Sequence, residues 1–186
     1  MNRLKASDYL TIAKNRGYKN ALEELIDYFL IDFYYGIETA PREKDERYVP
    51  IYTKVVKRSL SFIKDTILKN GFKDWIFIDI GCGKGKVLFC ARKYNFIKYI
   101  GIEISERIYE ILHRNVLKLK TTDCTIICKD VKNVSLDKII NIAGLQIEEI
   151  PGIILFAYNP FDVKELVEVI CGWKKNIEKK DFFSFL

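Results

Sequence analysis

Trp75-Ile76-Phe77-Ile78-Asp79-Ile80-Gly81-Cys82-Gly83-Lys84-Gly85-Lys86 is the stretch on which the fold turns. Trp75 to Ile80 is a short, nearly continuous apolar run, as a parallel strand buried on both faces requires. The glycines that follow let the backbone turn tightly and let a ligand approach without a Cβ in the way. Lys86 to Tyr94 then reads as a helix. A strand, a glycine turn and a helix in that order form a context in which such a turn holds a ligand, because the helix N-terminus presents free N–H groups.

Downstream the alternation continues. Tyr99 to Ile104 reads as a second strand, and Ser105 is the N-cap of a helix reaching about Lys120. Thr125 to Cys128 is a short third strand. Pro151 precedes a fourth, Ile153 to Ala157, and Val163 to Lys179 is a long helix. Phe182 to Leu186 begins a fifth strand. Upstream, Ala21 to Phe33 carries Leu22, Leu25, Ile26, Phe29, Leu30 and Phe33 at helical spacing. Gly36 to Arg47, with Pro41, reads as a loop. Ile51 to Leu68 is an amphipathic helix with Val55, Val56, Leu60, Ile63 and Ile67 on one side, stopped by Asn70-Gly71. Strands alternating with helices predict an α/β fold: a doubly wound parallel sheet with helices on both faces and right-handed crossovers. A strand order of 3-2-1-4-5 is the expectation for it. Residues 1–47 are expected to form a helical appendage and residues 48–186 the main domain.

Composition excludes several classes. The chain has 186 residues, 49% of them apolar and 30% charged, which suits one domain and not a disordered or collagen-like chain. No apolar run reaches the roughly 18 residues of a membrane span, and Met1 to Tyr9 lacks the apolar core of a secretory signal. A cytoplasmic protein without a membrane partner is the expectation. The net charge of +6 is mild. Lys84, Lys86, Arg92, Lys93 and Lys98 form one basic region and Lys174, Lys175, Lys179 and Lys180 another. A solvated lysine surface and a phosphate-binding face both fit them. The five cysteines include no C-x-x-C, and His113 is the single histidine. No metal site is expected, nor a Ser-His-Asp triad. Reduced structural thiols are the expectation.

The glycine turn itself narrows the ligand. It lacks the Gly-x-x-x-x-Gly-Lys-Ser/Thr of a P-loop. A dinucleotide site prefers Gly-x-Gly-x-x-Gly, and here the third glycine, Gly85, comes one residue early. Asp79 on the strand disfavours a pyrophosphate and suits a cationic ligand. Glu103, at the end of the second strand, stands where an acid accepts hydrogen bonds from ribose hydroxyls. The fourth strand ends in Tyr158-Asn159-Pro160-Phe161. With strands 1 and 4 adjacent, Asn159 faces the same crevice as Asp79.

Asp79-Ile-Gly81-Cys-Gly83-Lys-Gly85 resembles the first motif of the class I S-adenosylmethionine-dependent methyltransferases, whose fold is Rossmann-like. The resemblance implies that Gly81, Gly83 and Gly85 surround the methionine part of that cofactor, with Asp79 nearby. Cys82 lies within the same cofactor-binding turn and is expected there as a small filler rather than a nucleophile. The resemblance carries the ribose role to Glu103 and an adenine contact to Asp130. Tyr48-Val-Pro50 is similar to a segment that closes over the cofactor in some members, and a helix-entry proline explains it equally well. Asn159-Pro160-Phe161 resembles the Asn-Pro-Pro-Tyr/Phe motif of amino-group methyltransferases. There the asparagine and the proline carbonyl accept hydrogen bonds from the target N–H groups and the aromatic ring stacks on the substrate. This sequence has one proline, and its Phe161 comes one place early. It is also similar to a group of uncharacterised bacterial methyltransferases and, in part, to lysine-methylating enzymes.

The expected function is methyl transfer to an unidentified acceptor: protein side chain, small molecule, or RNA or DNA base, with nitrogen favoured. A cofactor-binding but inactive protein is the alternative, and a nucleotide-dependent oxidoreductase a distant third. The superfamily's usual C-terminal hairpin is missing after the fifth strand. That reads as truncation, and the exposed fifth strand is expected to promote self-association.

Overall fold

The computed structural model describes residues 18–40, 51–66, 74–175 and 181–185. The strands are β1 (Ile76–Ile80), β2 (Lys98–Glu103), β3 (Cys124–Cys128), β4 (Gly152–Ala157) and β5 (Asp181–Phe185). They form one sheet of order β3-β2-β1-β4-β5, the expected order. Every neighbouring pair is parallel, with Asp79 opposite Gly101 on β2 and Phe156 on β4. β1 therefore lies mid-sheet and is buried throughout, which is why its sequence is apolar without alternation.

The pleat divides the core in two. Ile76, Ile78 and Ile80 face one side with Ile153 and Leu155. There they pack under α5 (Leu136–Ile142) and α6 (Val163–Lys175) through Leu136, Ile139, Ile140, Leu166 and Trp173. Phe77, Tyr99, Ile154 and Phe156 face the other side. They are covered by α2 (Thr53–Thr66), α3 (Lys86–Ala91) and α4 (Glu106–Lys118). Each fully buried aliphatic such as Leu60, Ile63 or Leu88 contributes roughly 1.5–3 kcal/mol through removal from water. Ser105 caps α4 as expected, its hydroxyl accepting from Ile108 N.

Three expectations need correction. α5 carries no assignment in the sequence reading, because seven residues are too short a window for periodicity; its start is nonetheless signalled by Ser135, whose side chain accepts from Lys138 N. Val55 on α2 is exposed, while Val56, Leu60 and Ile63 face inward. The N-terminal stripe is also turned. In α1 (Tyr18–Asp27) and the π-helical turn Tyr28–Phe33 after it, Leu22, Ile26 and Phe33 are exposed and Asp27, Ile31 and Asp32 are buried. A π turn breaks the 3.6-residue phase that a stripe presumes, and the two aspartates have partners inside. The described part of the loop from Gly36 is irregular as expected, and Ile37, Thr39 and Ala40 within it are buried. Asp32 Oδ2 accepts from Thr39 N and Ala40 N, both at 2.8 Å. Ile31 and Ile37 join the same cluster as Phe77.

Candidate active site

The glycine turn closes over the C-terminal end of β1. Gly81 N and Cys82 N donate to Ile102 O at 2.9 and 3.1 Å, which staples the turn to β2. Gly81 has φ 68°, in the left-handed region. A Cβ built there would stand 2.8 Å from Pro160 Cβ. Gly85 has φ 90°, and its Cβ would meet Leu112 Cδ1 at 2.5 Å. The first glycine thus admits the loop after β4, and the third lets α3 start against α4.

Asp79 and Glu103 lie on the same face of the sheet as Phe77 and Tyr99, by the strand period of two. Opposite Asp79, Gly101 keeps the space clear; its Cβ would clash with Leu88 Cδ1 at 2.6 Å and Cys82 Sγ at 2.8 Å. Asp79 is 2% exposed, and its Oδ2 has no hydrogen-bond partner. Burial pushes its carboxyl well above the ordinary value, and the neighbouring Glu103 charge adds to this. Glu103 is held from both oxygens: Oε2 accepts from Gly83 N at 2.9 Å and Oε1 from Ser105 N at 2.8 Å. Burial raises its pKa, and these bonds partly offset the rise. Each carboxylate oxygen keeps a second lone pair, so Glu103 can still accept from a ligand. Cys82 is buried, and burial pushes its thiol well up, which disfavours a thiolate there.

No cation among the described residues pairs with these two acids. The lysines of the turn face elsewhere, which corrects the expectation of a basic surface at Lys84 and Lys86. Lys84 is fully buried, and its Nζ donates to Glu38 Oε1 at 3.1 Å and Ala40 O at 2.7 Å. Lys86 Nζ donates to Asp27 Oδ2 at 3.2 Å, and the same oxygen accepts from Thr53 N at 3.0 Å. Asn115 ties the assembly together by donating from Nδ2 to Glu38 O and Lys84 O. These residues brace the turn from below. Sequence reading missed them, because nothing local says which lysine of a lysine-rich chain is buried.

The opposite side of the turn opens to a crevice of about 100 Å³ at the strand ends, lined by Gly81, Ile104, Asp130, Lys132, Pro160 and Phe161 among others. That is smaller than the several hundred Å³ of a typical small-molecule pocket, so it accommodates one end of an extended ligand. Asp130 Oδ1 accepts from Lys132 N at 3.0 Å, and the carboxylate lies at the crevice wall. Asn159 is exposed with φ 50°, a left-handed conformation that strains most residues and is best tolerated by asparagine. Its side chain makes no hydrogen bond within the described residues. Phe161 packs against the core beneath the crevice, with Lys132 Nζ 6.0 Å from its ring. Tyr48 lies outside the described residues. His113 is exposed on α4, stacked on Tyr109, away from this rim. Among the described residues no group of acids, thiols and histidine could hold a metal ion, and no helix is long and apolar enough to cross a membrane.

The residues present fit S-adenosylmethionine. An unpaired buried carboxylate beside an uncluttered glycine turn suits a ligand that carries an ammonium and a sulfonium. The partly free acceptors of Glu103 suit ribose hydroxyls.

Parts of the chain are similar to known methyltransferases. Residues 73–147 match a family described as "Putative methyltransferase". A protein-lysine N-methyltransferase of Saccharolobus islandicus (strain REY15A) is 42% identical over 67 residues, which is 35% of this chain and 38% of that protein's length. The human methyltransferase 10 domain containing protein superposes with a TM-score of 0.59 at 16% identity, covering 87% of this chain and 74% of that one. The METTL16 methyltransferase domain superposes with a TM-score of 0.61 at 15% identity, covering 87% and 61%. At such identities the two structures bear on the fold alone.

Proposed function

We propose that the chain is a class I S-adenosylmethionine-dependent methyltransferase and that it methylates a nitrogen acceptor, in the first instance a lysine side chain of a protein; the match of residues 73–147 to a methyltransferase family supports the first part. The observation that carries the reading is Asp79: a strand carboxylate, buried and unpartnered, at the edge of a glycine turn that touches the Asn159-Pro160 loop. The lysine acceptor draws support from the activity of the Saccharolobus relative.

When bound, the cofactor supplies an electrophilic methyl group on a positively charged sulfur. Asp79 offers its free oxygen to the cofactor's ammonium, and Glu103 offers lone pairs to the ribose hydroxyls. Gly81, Gly83 and Gly85 would leave the backbone open to the methionine part, and Asp130, on the crevice wall, would take the adenine amino group. Asn159 and the Pro160 carbonyl accept hydrogen bonds from the acceptor's N–H groups and aim its lone pair at the methyl carbon. Holding a nucleophile in line supplies much of the acceleration in such a transfer. On transfer the acceptor nitrogen would take up the methyl group while the sulfur kept the electron pair of the C–S bond, and the amine's proton would leave to water. An amino group of a nucleic-acid base is the second reading, favoured by the likeness of Asn159-Pro160-Phe161 to the amino-group motif.

The test is incubation of the chain with methyl-tritiated cofactor and separate protein and RNA fractions, with Asp79→Asn alongside. Label recovered as methyl-lysine after protein hydrolysis, and absent with the variant, is expected. Label in RNA alone moves the acceptor to the second reading. Calorimetric binding of S-adenosylhomocysteine without transfer to any fraction supports an inactive cofactor-binding protein, and no binding overturns the proposal.

A further inference from the structure

The molecule has a second, larger cavity on the outer side of the helical layer. It measures about 380 Å³, within the range of small-molecule sites. It shares no lining residue with the crevice at the strand ends. α3 begins at the glycine turn and runs away from it. The cavity is built at the far end of α3, from Phe89, Cys90, Arg92 and Lys93. Ile31, Tyr35 and Ile37 wall it from the N-terminal segment, Thr53 and Lys57 from the first turns of α2, and Leu119 from the residue after α4.

The lining has two characters. Ile31 and Ile37 are buried, and with Phe89 and Leu119 they make an apolar interior. Among the described residues that line the cavity, Lys57, Arg92 and Lys93 are cations and none is an acid. Arg92 leans on Asp123, its Nε 3.4 Å from the carboxylate, and both side chains are more than a third exposed. Such a pair is weak and leaves the guanidinium able to turn to a better partner. Three cations around an apolar hollow repel one another, and an anion seated among them relieves that repulsion. Thr53 and Cys90 complete the wall between the N-terminal segment and α3. Tyr35, half exposed, adds a ring at the mouth.

We infer that this cavity binds a small organic anion with an apolar, planar body, an aryl phosphate or aryl carboxylate, at a site separate from the cofactor crevice. The apolar walls take the ring and the cations take the anionic head. The site is independent of the acceptor chemistry and of whether the chain transfers methyl groups.

Calorimetric titration of the full chain with 1-naphthyl phosphate, 1-naphthoate, neutral 1-naphthol and inorganic phosphate tests it. Saturable binding of one naphthyl anion, at least tenfold tighter than both 1-naphthol and inorganic phosphate, is expected, and the tighter of the two anions identifies the head group. The double variant Lys57→Glu/Lys93→Glu alters only exposed side chains and is expected to weaken that binding at least tenfold while circular dichroism stays unchanged. Saturating S-adenosylhomocysteine is expected not to compete. Equal binding of 1-naphthol, undiminished affinity in a folded double variant, competition by S-adenosylhomocysteine, or no binding of either anion would each overturn the inference.

Discussion

Replacing Asp79 by asparagine is expected to make the ligand-free protein more stable while removing cofactor binding. The wild-type carboxylate is 2% exposed, Oδ2 has no partner, and Glu103 stands nearby with the same charge. Leaving a buried polar group unsatisfied costs about 1–3 kcal/mol, and more when it is charged. Asparagine keeps the shape and drops the charge, and its N–H groups can donate to a free lone pair of Glu103. We therefore expect a gain of about 1–3 kcal/mol at pH 8. For a domain of this size each kcal/mol moves Tm by about 2–4 °C, so the rise is about 2–12 °C. The pH dependence carries a second signature. The native pKa of Asp79 lies well above the ordinary 3.8, so the native state keeps a proton that the unfolded chain releases. The stability this group contributes is full below the unfolded value and is lost as pH rises through the window up to the native one. The variant has no such slope, so its advantage widens with pH. Urea unfolding from pH 4 to pH 8, without cofactor, measures both effects as midpoints at constant m. A variant less stable than wild type at pH 8, or an advantage that does not grow with pH, refutes the reasoning that Asp79 is an unpaired carboxylate kept for a cation.

Lys84→Met keeps the aliphatic stem but removes the donor to Glu38 and Ala40 O. Glu38 is 28% exposed and can be rehydrated, so a loss of about 2–3 kcal/mol in urea unfolding is expected, below the full cost of breaking a buried pair. Gly101→Ala puts a Cβ 2.6 Å from Leu88 Cδ1, and the repacking is expected to cost about 1–3 kcal/mol, read as a fall in Tm. Ser105→Ala removes a cap whose bond to Ile108 N is long, at 3.4 Å, so about 0.5–1 kcal/mol of stability should go in the same unfolding assay, without change in cofactor affinity.

Most of the sheet was legible because its signals are local. β1 reads as a buried strand from apolar residues alone, and the glycine turn is marked by residue type. Ser105 announces α4 by its side-chain chemistry, and strand–helix alternation announces a parallel sheet. Where reading failed, the cause was packing between distant segments. The stripe of Leu22, Ile26 and Phe33 is apolar at helical spacing, yet it faces outward, because Asp27 and Asp32 are needed inside and the π turn shifts the phase.

The candidate site divides along the same line. Residue types and spacing on their own place an acid before the glycine turn, an acid at the end of β2 and Asn159-Pro160 after β4, since each belongs to one short motif. Three further features arise only in the folded chain. Glu103 is pinned by Gly83 and Ser105, Gly81 meets Pro160, and Lys84 and Lys86 are drawn beneath the turn by Glu38 and Asp27. Charge is written in the sequence, but the solvent around it and the partner beside it are not. That is why Asp79, an ordinary aspartate by composition, becomes a buried carboxylate without a counterion only once the sheet has closed around it.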